Sequence, residues 1–172
     1  MNIDKVGCGE NPSKVHVVIE VPKGSSVKYE IDKEAGIVEV DRMMYSAMHY
    51  PSNYGFVPDT LSDDGDPADV LVVTDHVLAP GVLIKTKIIG VLIMEDEAGI
   101  DEKLIGVPIP KLDPETAEIN DINDLPAHTL KKIKNFFETY KMLEPNKWVK
   151  VKEFQGAAEA EAILAKAIKD FK

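Results

Sequence analysis

Three aspartates lie within a short segment of the chain, at Asp64, Asp66 and Asp69. Gly65 and Pro67 alternate with them, so the segment is expected to turn rather than form a helix or a regular strand. Carboxylates held this close repel one another unless a positive charge lies between them. Because carboxylate oxygens are hard ligands, the pattern indicates a hard divalent cation such as Mg²⁺ or Mn²⁺. An ordinary surface turn also explains an isolated Asp-Gly-Asp, so this segment alone does not decide the matter.

Other charged side chains stand out on the segments that precede these aspartates. Glu20, Lys28 and Glu30 project from predicted strands, although a solvated sheet face explains each of them singly. Arg42 is the only arginine among 20 basic residues. Its rigid guanidinium fork suits a phosphate or a carboxylate, although a single arginine is also compatible with chance composition.

A second acidic segment, between residues 95 and 103, contains Asp96, Asp101 and Lys103. A polar hairpin loop explains it equally well. Tyr140 belongs to an apolar stripe with helical spacing, so its default interpretation is a core aromatic, and that of Lys141 beside it is a solvated lysine.

An EF-hand is excluded by its register. If Gly65 were the glycine at the sixth loop position, Thr60 would be first and Leu71 twelfth, and neither can serve the expected role. Placing Gly99 at the sixth position fails in the same way. The chain also contains neither a P-loop nor the paired glycines of a dinucleotide-binding turn.

Length and composition favour one compact domain spanning residues 1–172, since 44% of the residues are hydrophobic. The net charge of -10 disfavours a nucleic-acid partner. Cys8 is the only cysteine and cannot close an intrachain disulfide, and the four histidines show no zinc spacing with it. The amino terminus lacks the apolar run of a signal peptide, and the longest apolar stretch, residues 88–94, is far short of the ~20 residues that cross a bilayer. We therefore expect a cytoplasmic protein without membrane association.

The hydrophobic period predicts many short strands followed by two helices. Strands are expected at residues 15–21, 27–31, 37–42, 70–73, 82–94, 103–107 and 148–151. Gly90 is the expected bulge of the longest strand, and residues 43–56 are expected to form an aromatic-rich loop. A first helix is predicted from Asp124 as its cap, and a second over residues 160–171. This order indicates a small antiparallel barrel with helices packed on it.

Taken in order, the motifs resemble those of family I soluble inorganic pyrophosphatase of the short prokaryotic type. The matching segments are Glu20-x7-Lys28-Tyr29-Glu30, Asp41-Arg42, Tyr50-Pro51-x-Asn53-Tyr54-Gly55, Asp64-Gly65-Asp66-Pro67-x-Asp69, Asp96-x4-Asp101-x-Lys103 and Phe136-Phe137-Glu138-x-Tyr140-Lys141. Each is weak by itself, but the ordered set is specific. One departure is Ala68, where the family pattern usually has a larger aliphatic residue.

The resemblance implies a mainly β fold, a five-stranded OB-type closed barrel with two flanking α-helices. It also implies hydrolysis of inorganic diphosphate to two orthophosphates, with several Mg²⁺ ions per site and Mn²⁺ as a substitute. The implied partners are the diphosphate substrate and further copies of the same chain, in a homohexamer.

The resemblance further assigns roles to individual residues. Asp66 is the implied general base for the attacking water. The implied metal ligands are Glu20, Glu30, Asp64, Asp69, Asp96 and Asp101. The implied contacts to the phosphoryl oxygens are Lys28, Arg42, Tyr54, Lys103, Tyr140 and Lys141.

Two other functions remain open at this stage. A non-enzymatic protein that binds divalent cations would explain the aspartates, but it would give Arg42 and the lysines no role. An OB-type nucleic-acid binder would use the aromatic side chains of residues 45–56 as stacking platforms, but the net charge opposes it.

Overall fold

The computed structural model describes residues 5–172. The predicted absence of a signal peptide concerns a segment that lies mostly outside these residues. The described elements are β1 (Gly9–Glu10), β2 (Lys14–Val21), β3 (Val27–Asp32), β4 (Ile37–Met43), β5 (Asn53–Phe56), β6 (Asp69–Val72), β7 (Leu83–Asp96), β8 (Gly99–Pro108), α1 (Ala127–Thr139), β9 (Val149–Gln155) and α2 (Ala157–Phe171), with short 3-10 helices at Pro114–Thr116 and Ile122–Asp124.

Five strands close into a ring. The sheet runs in the order β1-β2-β5-β6-β8-β7-β9, and a further pairing between β2 and β7 joins its two sides. Around the ring β6 and β8 are parallel, whereas the other neighbours are antiparallel. If the ring strands are numbered 1 to 5 along the chain, their order around the ring is 1-2-3-5-4. This is the order of an OB-type barrel. The predicted fold class is confirmed.

Alternating β-branched residues build the inner face of the barrel. Val15, Val17, Ile19 and Val21 of β2 are all fully buried, as expected for a strand with one face in the core. Where β5 crosses β2, a Cβ atom on Gly55 would lie 1.9 Å from the carbonyl oxygen of Val18. Only glycine fits this approach.

The strands β3 and β4 form a separate two-stranded hairpin, as predicted. It packs on the barrel through a small apolar cluster in which Ile31 contacts Val18 and Phe56. The hairpin thereby projects Lys28, Glu30 and Arg42 beside the barrel rather than from its wall.

Each helix covers a different part of the barrel. α1 buries Ile133, Phe136 and Phe137 in one core cluster. α2 buries Ala160, Leu164 and Ala167 in a second cluster, which also contains Ala68. The small side chain at position 68 thus packs in the same cluster as the small residues of α2. No helix within residues 5–172 is long and apolar enough to span a membrane.

Three predictions about local structure are wrong. Residues 53–56 form β5 rather than a loop, because their pairing with β2 and β6 overrides a sequence that has no strand period. β8 begins at Gly99, so the second acidic segment is mostly strand, with only a tight turn after Asp96. Asp124 does not cap α1, because it forms a capping box with Asp121 in the preceding 3-10 helix, and α1 begins after Pro126 without a side-chain cap.

Candidate active site

The acidic loop between β5 and β6 is fastened at its base by one threonine. The Thr60 hydroxyl donates to the carbonyl oxygen of Val57 at 2.6 Å and accepts from the Ala68 N–H at 2.9 Å. At the tip, the Asp66 N–H donates to Asp64 Oδ1 at 3.0 Å, and Gly65 adopts a φ of 91°, which favours glycine. The loop therefore holds Asp64 and Asp66 at the surface, close to the start of β6.

Lys103 lies at the centre of the charged groups. β6 and β8 are parallel with Asp69 opposite Lys103, and the Lys103 Nζ lies 2.5 Å from Asp69 Oδ2 and 2.7 Å from Asp101 Oδ1. Burial alone would lower the pKa of the Lys103 ammonium, but the two carboxylates outweigh it and raise the pKa above its usual value. Lys103 therefore stays charged although only 7% of its side chain is exposed.

The predicted residues line two adjoining cavities. The larger, of about 300 Å³, is lined by Lys28, Arg42, Tyr54, Asp64, Asp66, Asp69, Asp96, Asp101, Lys103, Tyr140 and Lys141 among others. The second, of about 240 Å³, adds Glu20 and Glu30 and shares Lys28, Tyr54, Asp66 and Asp69 with the first. All of the residues proposed from the sequence are thus brought together at one end of the barrel.

Each cation of the larger cavity is paired with a carboxylate. Lys28 Nζ lies 2.5 Å from Glu30 Oε1 and 3.2 Å from Asp41 Oδ2. Lys141 Nζ lies 2.8 Å from Asp96 Oδ2. Burial alone would raise the pKa of Asp96, but the hydrogen bonds from Lys141 and from a backbone N–H lower it below its usual value. This pairing of opposite charges keeps the carboxylates and the basic side chains ionised in a confined space.

Two carboxyl groups lack sufficient compensation. Burial, reinforced by the charges of Asp69 and Glu30, raises the pKa of Glu20 to about 7, although its Oε1 accepts a hydrogen bond from the Ile31 N–H at 3.0 Å. Burial also raises the pKa of Asp101, against the opposing effect of Lys103. Both carboxyl groups therefore bind a proton more tightly than a solvated carboxyl group does.

The donor chemistry fits a divalent cation, since carboxylate oxygens dominate and two of them carry raised pKa values. Within residues 5–172, however, no three carboxylate, histidine or cysteine side chains are grouped closely enough to hold an ion as they stand. Lys103 instead supplies the positive charge between Asp69 and Asp101.

The structure also brings in residues that the sequence reasoning did not assign to the site. Tyr50, Glu97 and Lys147 line the larger cavity, and Lys147 forms an ion pair with Glu97. Asp41 and Glu144 both pair with Arg42. Asp41 and Tyr50 already stood inside recognisable motifs, whereas Glu144 and Lys147 lie in an aperiodic segment that carries no signal.

The aromatic residues do not form a stacking surface. Of the four aromatic residues within residues 45–56, Tyr50, Tyr54 and Phe56 are 3%, 7% and 4% exposed, and Tyr45 alone is largely accessible. Bases of a single strand need accessible aromatic faces on which to stack. The geometry therefore gives no support to a nucleic-acid interface at this end of the barrel.

Comparison with known proteins assigns the chain to a family. A family model described as inorganic pyrophosphatase matches residues 17–172. The chain is 55% identical to the inorganic pyrophosphatase of Campylobacter jejuni over 172 residues, covering 100% of both chains. It also resembles solved structures of inorganic pyrophosphatases from Helicobacter pylori, with a TM-score of 0.95 and 54% identity over 97% of this chain and 98% of that one, and from Thermus thermophilus, with a TM-score of 0.94 and 42% identity over 99% of each. The chain therefore belongs to the inorganic pyrophosphatase family.

Proposed function

We propose that the two adjoining cavities are the active site at which this protein hydrolyses inorganic diphosphate to two orthophosphates with Mg²⁺ as cofactor. As a member of its family, the protein is a diphosphate hydrolase that uses a divalent metal. We further propose that Mg²⁺ is the ion used, with Mn²⁺ as a substitute. The convergence of the predicted acids and bases on one end of the barrel is the observation that carries the proposed function.

The positive side chains bind the substrate. Diphosphate is small and densely anionic, so its hydrolysis requires stabilisation of the charge that develops on the leaving phosphate. Lys28, Arg42, Lys103 and Lys141 line the cavity from different elements and supply that charge, and the Tyr140 hydroxyl adds a neutral donor. Burial raises the pKa of Tyr140, although the neighbouring lysines partly oppose this, so the hydroxyl remains protonated and able to donate.

Tyr54 is assigned the role of a second neutral hydrogen-bond donor. Tyr54 is buried, and this burial, with the neighbouring Asp69, raises the pKa of its hydroxyl well above the usual value. Tyr54 lines both cavities. A protonated phenol there donates to a phosphoryl oxygen without adding charge.

The carboxylates would hold the metal ions. One pair of ions is assigned to Asp64, Asp69 and Asp101. Further ions, which accompany the substrate, are assigned to Glu20, Glu30 and Asp96. When bound, such cations neutralise the phosphates and lower the pKa of a water molecule towards neutrality. For Asp69 and Asp101 to serve as ligands, the ammonium of Lys103 must turn from them towards the substrate.

Asp66 is assigned the role of general base. It lines both cavities and therefore lies where they meet. Among residues 5–172 its carboxylate forms no ion pair, in contrast to Asp69, Asp96 and Asp101. A carboxylate without a fixed cationic partner is free to accept a proton from the attacking water.

Three properties of the whole protein complete the proposal. We infer a single domain over residues 1–172, since both helices pack on the same barrel. We also infer a homohexamer, which would cover exposed apolar side chains such as those of Val77, Met142 and Leu143, and a cytoplasmic location. Light scattering of the purified protein tests the hexamer, and a monomeric mass would contradict it.

The activity is tested by measuring orthophosphate release from diphosphate with Mg²⁺, with Mn²⁺ and with a chelator. We expect rapid release with Mg²⁺, slower or comparable release with Mn²⁺ and none with the chelator. Cation binding without orthophosphate release would instead favour a non-enzymatic divalent-cation protein. Salt-dependent binding of an oligonucleotide without release would favour the nucleic-acid binder.

A further inference from the structure

Glu144 is a buried carboxylate that does not line either of the two cavities. It lies in the segment between α1 and β9, and only 8% of its side chain is exposed. A glutamate is rarely buried to this extent unless a cation compensates it. Its ionic partner is Arg42, whose Nε lies 3.2 Å from Glu144 Oε1.

Arg42 Nε and Glu144 Oε1 compensate each other electrostatically. Arg42 Nε and Glu144 Oε1 are both shielded from solvent, and neither meets the geometry of a hydrogen bond with any partner among residues 5–172. Their contact is thus a close ion pair that is imperfectly aligned. If the carboxylate were removed, the buried N–H of Arg42 would lose its compensation, and the guanidinium would be expected to move.

Arg42 is held from a second direction by its neighbour in the chain. Its Nη1 lies 2.8 Å from Asp41 Oδ2, and the same Asp41 oxygen lies 3.2 Å from Lys28 Nζ. Asp41 therefore fixes one edge of the guanidinium and Glu144 another. Because the guanidinium is planar and rigid, two anchored edges determine the direction in which its remaining donors point.

The second anchor comes from a different part of the fold. Arg42 lies on β4, in the hairpin that stands beside the closed barrel. Glu144 follows Tyr140 and Lys141, which line the same cavity as Arg42. The ion pair therefore links the hairpin to the segment that supplies two other phosphate-binding groups.

We infer that Glu144 is a positioning residue, whose carboxylate holds the guanidinium of Arg42 in the orientation that meets a phosphoryl group of the substrate. This inference rests on the proposed function, in which Arg42 binds diphosphate. A misplaced guanidinium still carries its charge into the cavity but loses its directed hydrogen bonds.

A double-mutant cycle on kcat/KM tests the inference, with Arg42→Gln, Glu144→Gln and the double variant. We expect Glu144→Gln to lower kcat/KM by about tenfold or more, and the double variant to be no worse than Arg42→Gln alone, because Glu144 acts through Arg42. A double variant that loses the product of the two single effects would overturn the inference. Full activity of Arg42→Gln would instead contradict the proposed role of Arg42 in substrate binding.

A second measurement does not depend on activity. Phenylglyoxal modifies arginine side chains, and Arg42 is the only arginine of the chain, so mass spectrometry of the peptide that contains Arg42 follows this site. We expect Glu144→Gln to be labelled severalfold faster than the unaltered protein, because the guanidinium is released from its buried partner. An unchanged labelling rate would refute the inference.

Two further variants complete the experiment. Glu138→Gln changes an exposed glutamate of α1 whose described partner is Lys134, and it should label and react as the unaltered protein does. Glu144→Asp keeps the charge but shortens the side chain by one methylene. It should label faster than the unaltered protein and retain more activity than Glu144→Gln. Should Glu144→Gln fail to fold, equal labelling of Glu144→Asp and the unaltered protein would refute the inference.

Discussion

At the scale of single residues, Lys103 decides the charge balance between the two strands that carry Asp69 and Asp101. Its ammonium contacts both carboxylates in a nearly closed environment. Such an arrangement stabilises the fold only while the three charges stay together, since removing one partner leaves the others buried and uncompensated. It also places a cation where the proposal requires divalent ions to bind.

Lys103→Met tests this balance. Without metal, the variant should be destabilised by about 3 kcal/mol or more, because two partly buried carboxylates lose their buried counter-charge. Adding Mg²⁺ should then raise the melting temperature of the variant more than that of the unaltered protein, as the ions replace the lost ammonium. Differential scanning calorimetry with and without Mg²⁺ measures both effects. Lys166→Met, at an exposed lysine paired with Asp63 outside both cavities, is the control. An equal Mg²⁺ response in all three proteins would show that Mg²⁺ does not replace the ammonium of Lys103.

At the scale of elements, Asn53 is the first residue of β5 and joins two loops to that strand through its side chain. Its side chain is fully buried. Its Oδ1 accepts from the N–H groups of Lys23 and Leu78 at 3.0 and 2.9 Å, and its Nδ2 donates to the carbonyl oxygen of His76 at 2.9 Å. The asparagine of the Tyr-Pro-x-Asn-Tyr-Gly motif thus has a structural role beside the site.

Asn53→Ala should lower the free energy of unfolding by about 3 kcal/mol, because three partly buried backbone groups lose their partners at once. Urea unfolding followed by circular dichroism measures the change. The matched control is Asn135→Ala, at an exposed position of α1, where the expected change is within about 0.5 kcal/mol. Similar stability of the two variants would show that Asn53 does not join the loops as described.

The long, periodic elements could be predicted from the sequence, and the short or irregular ones could not. β2, the hairpin and α2 carry their own hydrophobic period, so their pattern determines which face is buried. β5 has no such period. Its Gly55 is required by the close approach of β2 and not by a local conformational preference. The predicted start of α1 is wrong because Asp124 satisfies a different set of N–H groups, in the preceding 3-10 helix.

The same distinction holds for the candidate site. Motif order predicted which side chains would gather, and they do line adjoining cavities. The pairing of Lys103 with Asp69 depends on the parallel register of β6 and β8, which only the closed barrel determines. The pairing of Arg42 with Glu144 joins positions far apart in the chain, and neither residue type nor spacing indicates it.

At the scale of the whole molecule, ionisation of the Glu20 carboxyl group should make the stability of the fold depend on pH. The pKa of Glu20 is raised to about 7, so the folded protein retains this proton more tightly than the unfolded chain. The resulting stabilisation is complete below about pH 4.5, the usual pKa of glutamate, and is lost as the pH rises through about 7.

Glu20→Gln should therefore make the stability of the metal-free protein less dependent on pH between about 4.5 and 7, because glutamine stays neutral throughout this range. Melting temperatures measured across that range, in the presence of a chelator, provide the test. Glu34→Gln, at an exposed position of the hairpin turn, should leave the pH profile unchanged. A profile for Glu20→Gln that parallels that of the unaltered protein would mean that Glu20 titrates as an ordinary carboxyl group.

We propose that one aspartate of the acidic loop accepts the proton of the attacking water while its neighbours hold the metal. The most direct measurement compares Asp66→Asn with Asp69→Asn, using orthophosphate release at saturating Mg²⁺ for the rate and titration calorimetry for Mg²⁺ affinity. We expect Asp66→Asn to lose at least about a hundredfold in kcat with nearly unchanged Mg²⁺ affinity, whereas Asp69→Asn should bind Mg²⁺ more weakly. Equal losses of rate and affinity in both variants would contradict this assignment.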